Sequence, residues 1–168
     1  MKKIVITGGA GFVGSHIVEG FAAAYPDATV HVLDKMTYAA HIRNVLDLMV
    51  MKRVNLIVGD VCDLDTCKRA VDGEDLVIHA AAESHVDNSF GNSLEFTKTN
   101  VVGTHSIMEA CRAAKTPKII HVSTDEVYGE VLSGTADEDS LLKPTNPYSA
   151  SKAAAEMNLS GYRRSSHP

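Results

Sequence analysis

The chain has 168 residues, of which 45% are hydrophobic and 22% are charged. These proportions are typical of one globular domain and exclude disordered, collagen-like and coiled-coil proteins. Sixteen Lys and Arg residues against 21 Asp and Glu give a net charge of −5 without a basic run, so we expect no nucleic-acid partner.

No apolar stretch is long enough for a bilayer span or a secretory signal, which predicts a soluble protein with no membrane partner. The three cysteines form no C-x-x-C pair, so we expect reduced thiols and a cytoplasmic location. The eight histidines lack metal-site spacing, and no metal is predicted. His79 and His121 fall in predicted strands and are expected to be core residues.

Short apolar runs that predict strands alternate with amphipathic stretches that predict helices. The predicted strands are residues 3–6, 29–33, 55–58, 76–79 and 118–122. The predicted helices are residues 12–24, 43–51, 65–71, 100–114 and 147 to about 164, the third capped by Asp63 or Asp65. This alternation predicts an α/β fold with a doubly wound parallel sheet, the Rossmann fold.

The loop of residues 129–147 is polar, and its length predicts either a lid or a solvated acidic connector. A doubly wound sheet would normally continue after the last predicted helix. We therefore expect the chain to be part of a longer protein.

Three glycines, Gly8, Gly11 and Gly14, follow the first strand and open the first helix. Such a turn lets backbone N–H groups and the positive helix end approach a pyrophosphate, and the third glycine allows close helix packing. The pattern predicts a dinucleotide site. The alternative is a glycine-rich turn that binds nothing.

Asp34 ends the second strand, 20 residues after Gly14, where dinucleotide sites place an acid that accepts hydrogen bonds from the ribose hydroxyls. A carboxylate there repels a 2′-phosphate, so the cofactor is predicted to be NAD rather than NADP. Lys35 could offset that repulsion, and Asp34 could instead be a cap.

Two further segments follow strands at the same predicted edge of the sheet. Asp60 and Val61 could bond the adenine amino group and pack on its ring. The residues Ala80, Ala81 and Ala82 would let the cofactor run close to the backbone. An alanine triplet is also common in plain packing.

Tyr148 and Lys152 stand four residues apart on the last predicted helix, hence on one face. A nearby ammonium is expected to lower the pKa of the tyrosine and make it a base for a hydroxyl proton. Ser123 and Thr124 close the fifth strand and could join the same proton network.

Asp125 and Glu126 follow at once. Adjacent carboxylates in an enclosed site can divide the roles of acid and base, which elimination of water from a sugar requires. The alternative is an acidic helix cap or a solvated turn.

Four segments together resemble the extended short-chain dehydrogenase/reductases, and among them the nucleotide-sugar 4,6-dehydratases that act on dTDP-glucose. They are Thr7-Gly8-Gly9-Ala10-Gly11-Phe12-Val13-Gly14, His79-Ala80-Ala81-Ala82-Glu83-Ser84-His85-Val86-Asp87, Ser123-Thr124-Asp125-Glu126-Val127-Tyr128-Gly129 and Pro147-Tyr148-Ser149-Ala150-Ser151-Lys152. The resemblance spans residues 3 to about 157.

The resemblance implies a tightly held NAD that takes a hydride from C4 of the sugar and returns it to C6. Tyr148 would deprotonate the 4-hydroxyl, with Lys152 tuning it and Thr124 bonding the 4-oxygen. Glu126 would remove the C5 proton while Asp125 protonates the leaving 6-hydroxyl.

The resemblance also implies the binding residues. The cofactor would be lined by Gly8, Gly11, Phe12, Val13, Gly14, Asp34, Lys35, Met36, Thr37, Asp60, Val61, Ala80, Ala81, Ala82, Thr99, Tyr148 and Lys152. Ser84 and Thr124 would contact the nucleotide-sugar substrate. Residues 1–168 would form an NAD-binding domain that carries the catalytic residues and lacks the substrate domain, and a homodimer would form through helices 100–114 and 148–163.

Two departures leave the nucleotide open, so a UDP-sugar is an alternative to a dTDP-sugar. Many bacterial members carry arginine where this chain has Asn88, and the loop of residues 130–147 is shorter here. The alternative functions are a related nucleotide-sugar epimerase, a UDP-glucuronate decarboxylase and a non-catalytic NAD-binding fragment.

Overall fold

The computed structural model describes residues 2–165 and contains one five-stranded parallel sheet. The strands are β1 (Lys3–Thr7), β2 (Thr29–Asp34), β3 (Val54–Val58), β4 (Leu76–His79) and β5 (Ile119–His121). Their order in the sheet is β3-β2-β1-β4-β5, and every neighbouring pair is parallel. The order reverses between β1 and β4, which is the switch point where such sheets bind ligands. The predicted doubly wound fold is confirmed.

The α-helices follow the prediction closely in the first half of the chain. They are α1 (Phe12–Ala24), α2 (Arg43–Val50), α3 (Leu64–Val71), α4 (Val86–Gly91), α5 (Ser93–Phe96), α6 (Gly103–Ala114) and α7 (Pro147–Ser165). Asp63 caps α3 by accepting a hydrogen bond from the backbone N–H of Asp65, so the first of the two predicted caps is the one used.

The helix that we predicted at residues 100–114 is part of a longer helical stretch that begins before residue 100. A π-helical segment (Thr97–Val102) joins α5 to α6, so helical backbone begins earlier than the apolar spacing indicates. The short helix α4 and a 3₁₀ helix (Asp125–Tyr128) also escape the prediction, because so few residues show no helical period.

The strands are apolar along their whole length because both faces of the sheet are covered. Successive residues of a strand point to opposite faces, yet Ile4, Val5 and Ile6 are all fully buried. On one face Ile4 and Ile6 join the core cluster that includes Val18 of α1 and Val45 of α2.

The described part of the chain divides into two compact units, which we call the sheet unit (residues 2–81 and 106–122) and the helical unit (residues 82–105 and 123–165). The loop of residues 129–147 lies in the helical unit, and residues 130–139 are exposed. Within residues 2–165, no helix is long and apolar enough to cross a membrane, and no three His, Cys, Asp or Glu side chains are grouped as metal ligands.

Candidate active site

The glycine-rich turn of the sheet unit requires glycine for steric reasons at two positions. Gly8 has φ +70°, and a Cβ there would lie 2.7 Å from the Cα of Ala81. A Cβ on Gly14 would lie 2.0 Å from the carbonyl oxygen of Gly8. Gly11 is the N-cap of α1 and donates its N–H to the same carbonyl at 3.1 Å. At this turn the backbone at the end of β1 therefore packs directly against the backbone of the start of α1 and of the segment after β4, with no room for a side chain between them.

Two apolar side chains next to this turn are exposed to solvent. Phe12 is 79% exposed and Val13 is 57% exposed, although both occupy the first turn of α1. Large exposed apolar side chains at the N-terminus of a helix suit a site that a ligand covers. This is where the resemblance places the cofactor.

Asp34 fixes the geometry of the turn from the end of β2. Its side chain is 7% exposed, and its two oxygens accept hydrogen bonds from the backbone N–H groups of Ala10 and Met36, both at 2.9 Å. A carboxylate oxygen accepts more than one hydrogen bond, so these contacts leave capacity for a ribose hydroxyl. Sequence reasoning missed Asn44, whose Nδ2 donates to the carbonyl of Ala10 at 2.8 Å. A lone Asn in an amphipathic helix gives no signal for that contact.

Lys35 and Asp60 form an ion pair across the ends of β2 and β3, with 2.8 Å between Nζ and Oδ2. Partial burial alone would raise the pKa of Asp60, but the hydrogen bonds from Lys35 and from the N–H of Cys62 outweigh it and lower that pKa. Lys35 is thus directed toward Asp60 in this structure. Val61 is buried beside Asp60, and Thr37 is half-buried.

The segment after β4 is tied to β1 by the side chain of Thr7. The Thr7 hydroxyl accepts a hydrogen bond from the N–H of Ala81 at 3.1 Å and shares one of 2.7 Å with Nδ1 of His79. Ala80 donates its N–H to the carbonyl of Thr7 at 3.2 Å. His79 is buried, as the sequence predicts, and its ring lies 5.3 Å from that of His121.

In the helical unit, Tyr148 lies at the start of α7 and shares a side-chain hydrogen bond with Thr124. Burial raises the pKa of Tyr148; the bond to Thr124 opposes that shift, and the charges of Glu126 and Asp125 reinforce it. The expectation of a lowered tyrosine pKa is therefore wrong for this structure, because burial and two carboxylates prevail.

Lys152 lies one helical turn after Tyr148 and is 4% exposed. Burial lowers its pKa to about 8, and the carboxylate of Glu156 acts in the opposite sense. Ser123, which we expected near the tyrosine, donates its hydroxyl to Oε1 of Glu156. Sequence reasoning missed Glu156, although its i+4 spacing from Lys152 is a visible signal.

The two acids lie in the 3₁₀ helix, whose N-cap is Thr124. Glu126 donates its backbone N–H to the Thr124 hydroxyl at 3.3 Å, and its Oε2 accepts from Nδ2 of Asn146 at 3.0 Å. Asn146 also accepts from the N–H of Ser149 at 2.8 Å and so caps α7. Sequence reasoning missed this cap, although Asn146 followed by Pro147 is a common helix start.

The remaining predicted site residues of the helical unit occupy the segment before α6. Ala82 and Thr99 are half-buried, and Ser84 is exposed. Asn100, which sequence reasoning missed, is 1% exposed; its amide bonds the backbone N–H and C=O of Glu83 at 2.8 and 2.9 Å. It also donates to the hydroxyl of Ser151 at 2.8 Å, so it joins this segment to α7.

Comparison with known proteins identifies similar chains at high identity. The chain is 45% identical over 171 residues to a trifunctional UDP-glucose 4,6-dehydratase/UDP-4-keto-6-deoxy-D-glucose 3,5-epimerase/UDP-4-keto-L-rhamnose-reductase of Arabidopsis thaliana, covering 98% of this chain and 25% of that protein. It is 43% identical over 163 residues to the dTDP-D-glucose 4,6-dehydratase of Homo sapiens, covering 96% of this chain and 47% of that protein.

Among solved structures, a dTDP-glucose 4,6-dehydratase of Streptomyces venezuelae with NAD and TYD bound matches with a TM-score of 0.93 and 42% identity. That match covers 97% of this chain and 52% of the other. The chain thus spans about half the length of these two dehydratases, and a quarter of the plant protein. The family model for GDP-mannose 4,6 dehydratase matches residues 5–167, and the chain belongs to this family.

Proposed function

We propose that this chain is the NAD-binding and catalytic part of a nucleotide-sugar 4,6-dehydratase, a lyase that converts dTDP-glucose into dTDP-4-keto-6-deoxyglucose and water. The observation that carries the proposal is the contact of Tyr148 with Thr124, directly before Asp125 and Glu126, whose charges act on the same phenol. A base for a hydroxyl and a pair of acids are the groups that water elimination needs.

The cofactor we propose is NAD, held by the residues that the resemblance implies. The glycine turn supports this choice because only residues without a Cβ fit at Gly8 and Gly14. Bound NAD would accept a hydride from the sugar and return it. Asp34 would disfavour a 2′-phosphate. Calorimetric titration should therefore give a much tighter NAD than NADP complex, and equal affinity would refute the assignment.

Tyr148 would remove the proton of the 4-hydroxyl, and Thr124 would hold the 4-oxygen. The pKa of Tyr148 is raised, so a positive charge must stabilise the phenolate before Tyr148 can act as a base at neutral pH. Lys152 would supply that charge in the complex and would hold the nicotinamide ribose.

Glu126 would take the C5 proton, and Asp125 would protonate the departing 6-hydroxyl. Their surroundings support this division of roles. Glu126 is half-buried and held by Asn146, while Asp125 is exposed and accepts a bond of 3.3 Å from the Thr124 hydroxyl. A fixed carboxylate suits proton removal at a defined carbon, and an exposed one can regain its proton from water.

The decisive experiment replaces Asp125 by Asn and Glu126 by Gln in the full-length natural protein. We expect loss of the 4-keto-6-deoxy product while slow cofactor reduction persists, because oxidation at C4 does not need the two acids. The matched control is Asp137→Asn with Glu138→Gln, an exposed acidic pair in the loop. Unchanged dehydration by the first variant would contradict the acid–base roles, and a 4-epimer as the wild-type product would favour the epimerase alternative.

We propose a dTDP-sugar as the substrate, with Ser84 as a contact, and a UDP-sugar is the competing choice because the Arabidopsis relative is named for UDP-glucose. Turnover of both nucleotide sugars under the same conditions decides between them. A preference for UDP-glucose would overturn the proposed nucleotide and leave the reaction class intact.

We also propose a homodimer through helices 100–114 and 148–163, where Val102 and Met157 are large exposed apolar residues. Cys62, Cys67 and Cys111 form no disulfide, which supports a reducing cytosol as the location. Sedimentation of the full-length protein tests the first of these proposals, and a sedimenting monomer would reject it.

A further inference from the structure

Two successive hydroxyl residues hold two different members of the site. Thr124 shares a hydrogen bond with Tyr148, and Ser123 donates to the carboxylate of Glu156. Tyr148 and Glu156 are eight residues apart on α7, about two turns, with Lys152 midway between them. Ser123 and Thr124 therefore bind the first and the last of three side chains on one face of α7, namely Tyr148, Lys152 and Glu156.

Of these three side chains, Lys152 is the one whose charged form is disfavoured by its burial. Its side chain is almost fully buried, and burial disfavours an ammonium relative to the neutral amine. A carboxylate one turn away on the same face favours the charged form. Glu156 provides that carboxylate, and its field on Lys152 opposes the effect of burial.

Other charged or titratable groups lie on the elements that pack near α7. Asp125 and Glu126 act on Tyr148. The others are Asp87 on α4, Glu95 on α5, Lys98 on the π-helical segment and Tyr128 on the 3₁₀ helix, together with His105 of α6, whose ring lies 5.9 Å from that of Tyr162. Glu156, one turn further along the same helix, is a charged group whose field acts on Lys152.

We propose that Glu156, oriented by Ser123, is a positioning residue that keeps the buried Lys152 ammonium charged, so that the site retains its cation at neutral pH. The importance of this charge for turnover rests on the proposed function. The charge state itself does not, and it can be measured in the protein without substrate.

The test is a ¹³C NMR titration of lysine-labelled full-length protein, with the Lys152 signal identified by its loss in Lys152→Arg. Replacing Glu156 with Gln should increase the acid dissociation constant of Lys152 about tenfold or more, because the carboxylate that favours the ammonium is then absent while the burial remains. Ser123→Ala should shift it in the same direction by less, and Ser123→Thr should restore the wild-type titration. Glu138→Gln, at an exposed loop position, is the control.

An unchanged Lys152 titration in Glu156→Gln would overturn the proposal. If that variant does not fold, Ser123→Ala decides, and no shift there overturns the proposal equally. The pH profile of turnover is a separate readout, in which Glu156→Gln should lose activity at lower pH than the wild type. A shifted titration in a protein that never dehydrates a nucleotide sugar would refute the proposed function while supporting the role of Glu156.

Discussion

Replacing Lys152 with Met should stabilise the protein while removing a proposed catalytic group. Met is similar in length and apolar, so it can fill the space of the lysine stem without carrying a charge into the interior. Lys152 is 4% exposed, and burial lowers its pKa from 10.5 to about 8. The wild-type protein therefore loses stability whenever this ammonium is charged.

The magnitude follows from the gap between the two pKa values. The folded-state pKa of Lys152 lies about 2.5 below the unfolded-state value, and each pKa unit is worth about 1.4 kcal/mol. Burial of the charged lysine therefore lowers the unfolding free energy by about 3 kcal/mol at pH 7. Between about pH 8 and 10.5 the unfolded chain binds more protons than the folded one, so the stability contribution of this lysine rises with pH across that window and is constant below it. The pH-dependent part of the difference in unfolding free energy between Lys152→Met and the wild type should therefore fall from about 3 kcal/mol at pH 7 to about 1 kcal/mol at pH 10.

Urea unfolding followed by circular dichroism, at pH 7 and pH 10, measures both values. Lys118→Met, at an exposed position, should show no comparable change and serves as the control. A stability difference between Lys152→Met and the wild type that is the same at both pH values would refute the reasoning, because the buried charge would then not be its source. A variant less stable than the wild type at pH 7 would refute it equally.

Four further substitutions test the packing and the hydrogen bonds within the two units. Gly14→Ala should abolish NAD binding and cost more than about 2 kcal/mol, because its methyl group would overlap a backbone carbonyl. Gly20→Ala in the same helix meets nothing within 4 Å and should stabilise by up to about 1 kcal/mol; similar urea midpoints for the two variants would contradict the steric argument. Asn100→Ala should cost about 3 kcal/mol in urea unfolding, since it leaves buried backbone groups unpaired, and a loss below about 0.5 kcal/mol would count against its joining role. Thr124→Val should raise the pKa of Tyr148 further, seen as a later phenolate transition in ultraviolet titration, whereas an unchanged transition would show that the hydroxyl does not act on the phenol.

The elements that sequence reasoning predicted well are those with a strong period or a steric rule. The five apolar runs became the five strands, and the Gly8 turn lies where the pattern places it. Short helices such as α4 and the 3₁₀ helix were missed because they are shorter than the window in which a period can be read.

The sequence by itself determined the parallel sheet, the glycine turn and the identity of the candidate acids and bases, because these depend on local apolar patterns and residue types. Only the tertiary structure decided which groups meet: Lys35 with Asp60, Asn146 with Glu126, and Ser123 with Glu156. It also decided that the pKa of Tyr148 is raised rather than lowered. Burial and the charges of groups distant along the chain set such values, and neither can be read from the spacing of residues in one helix.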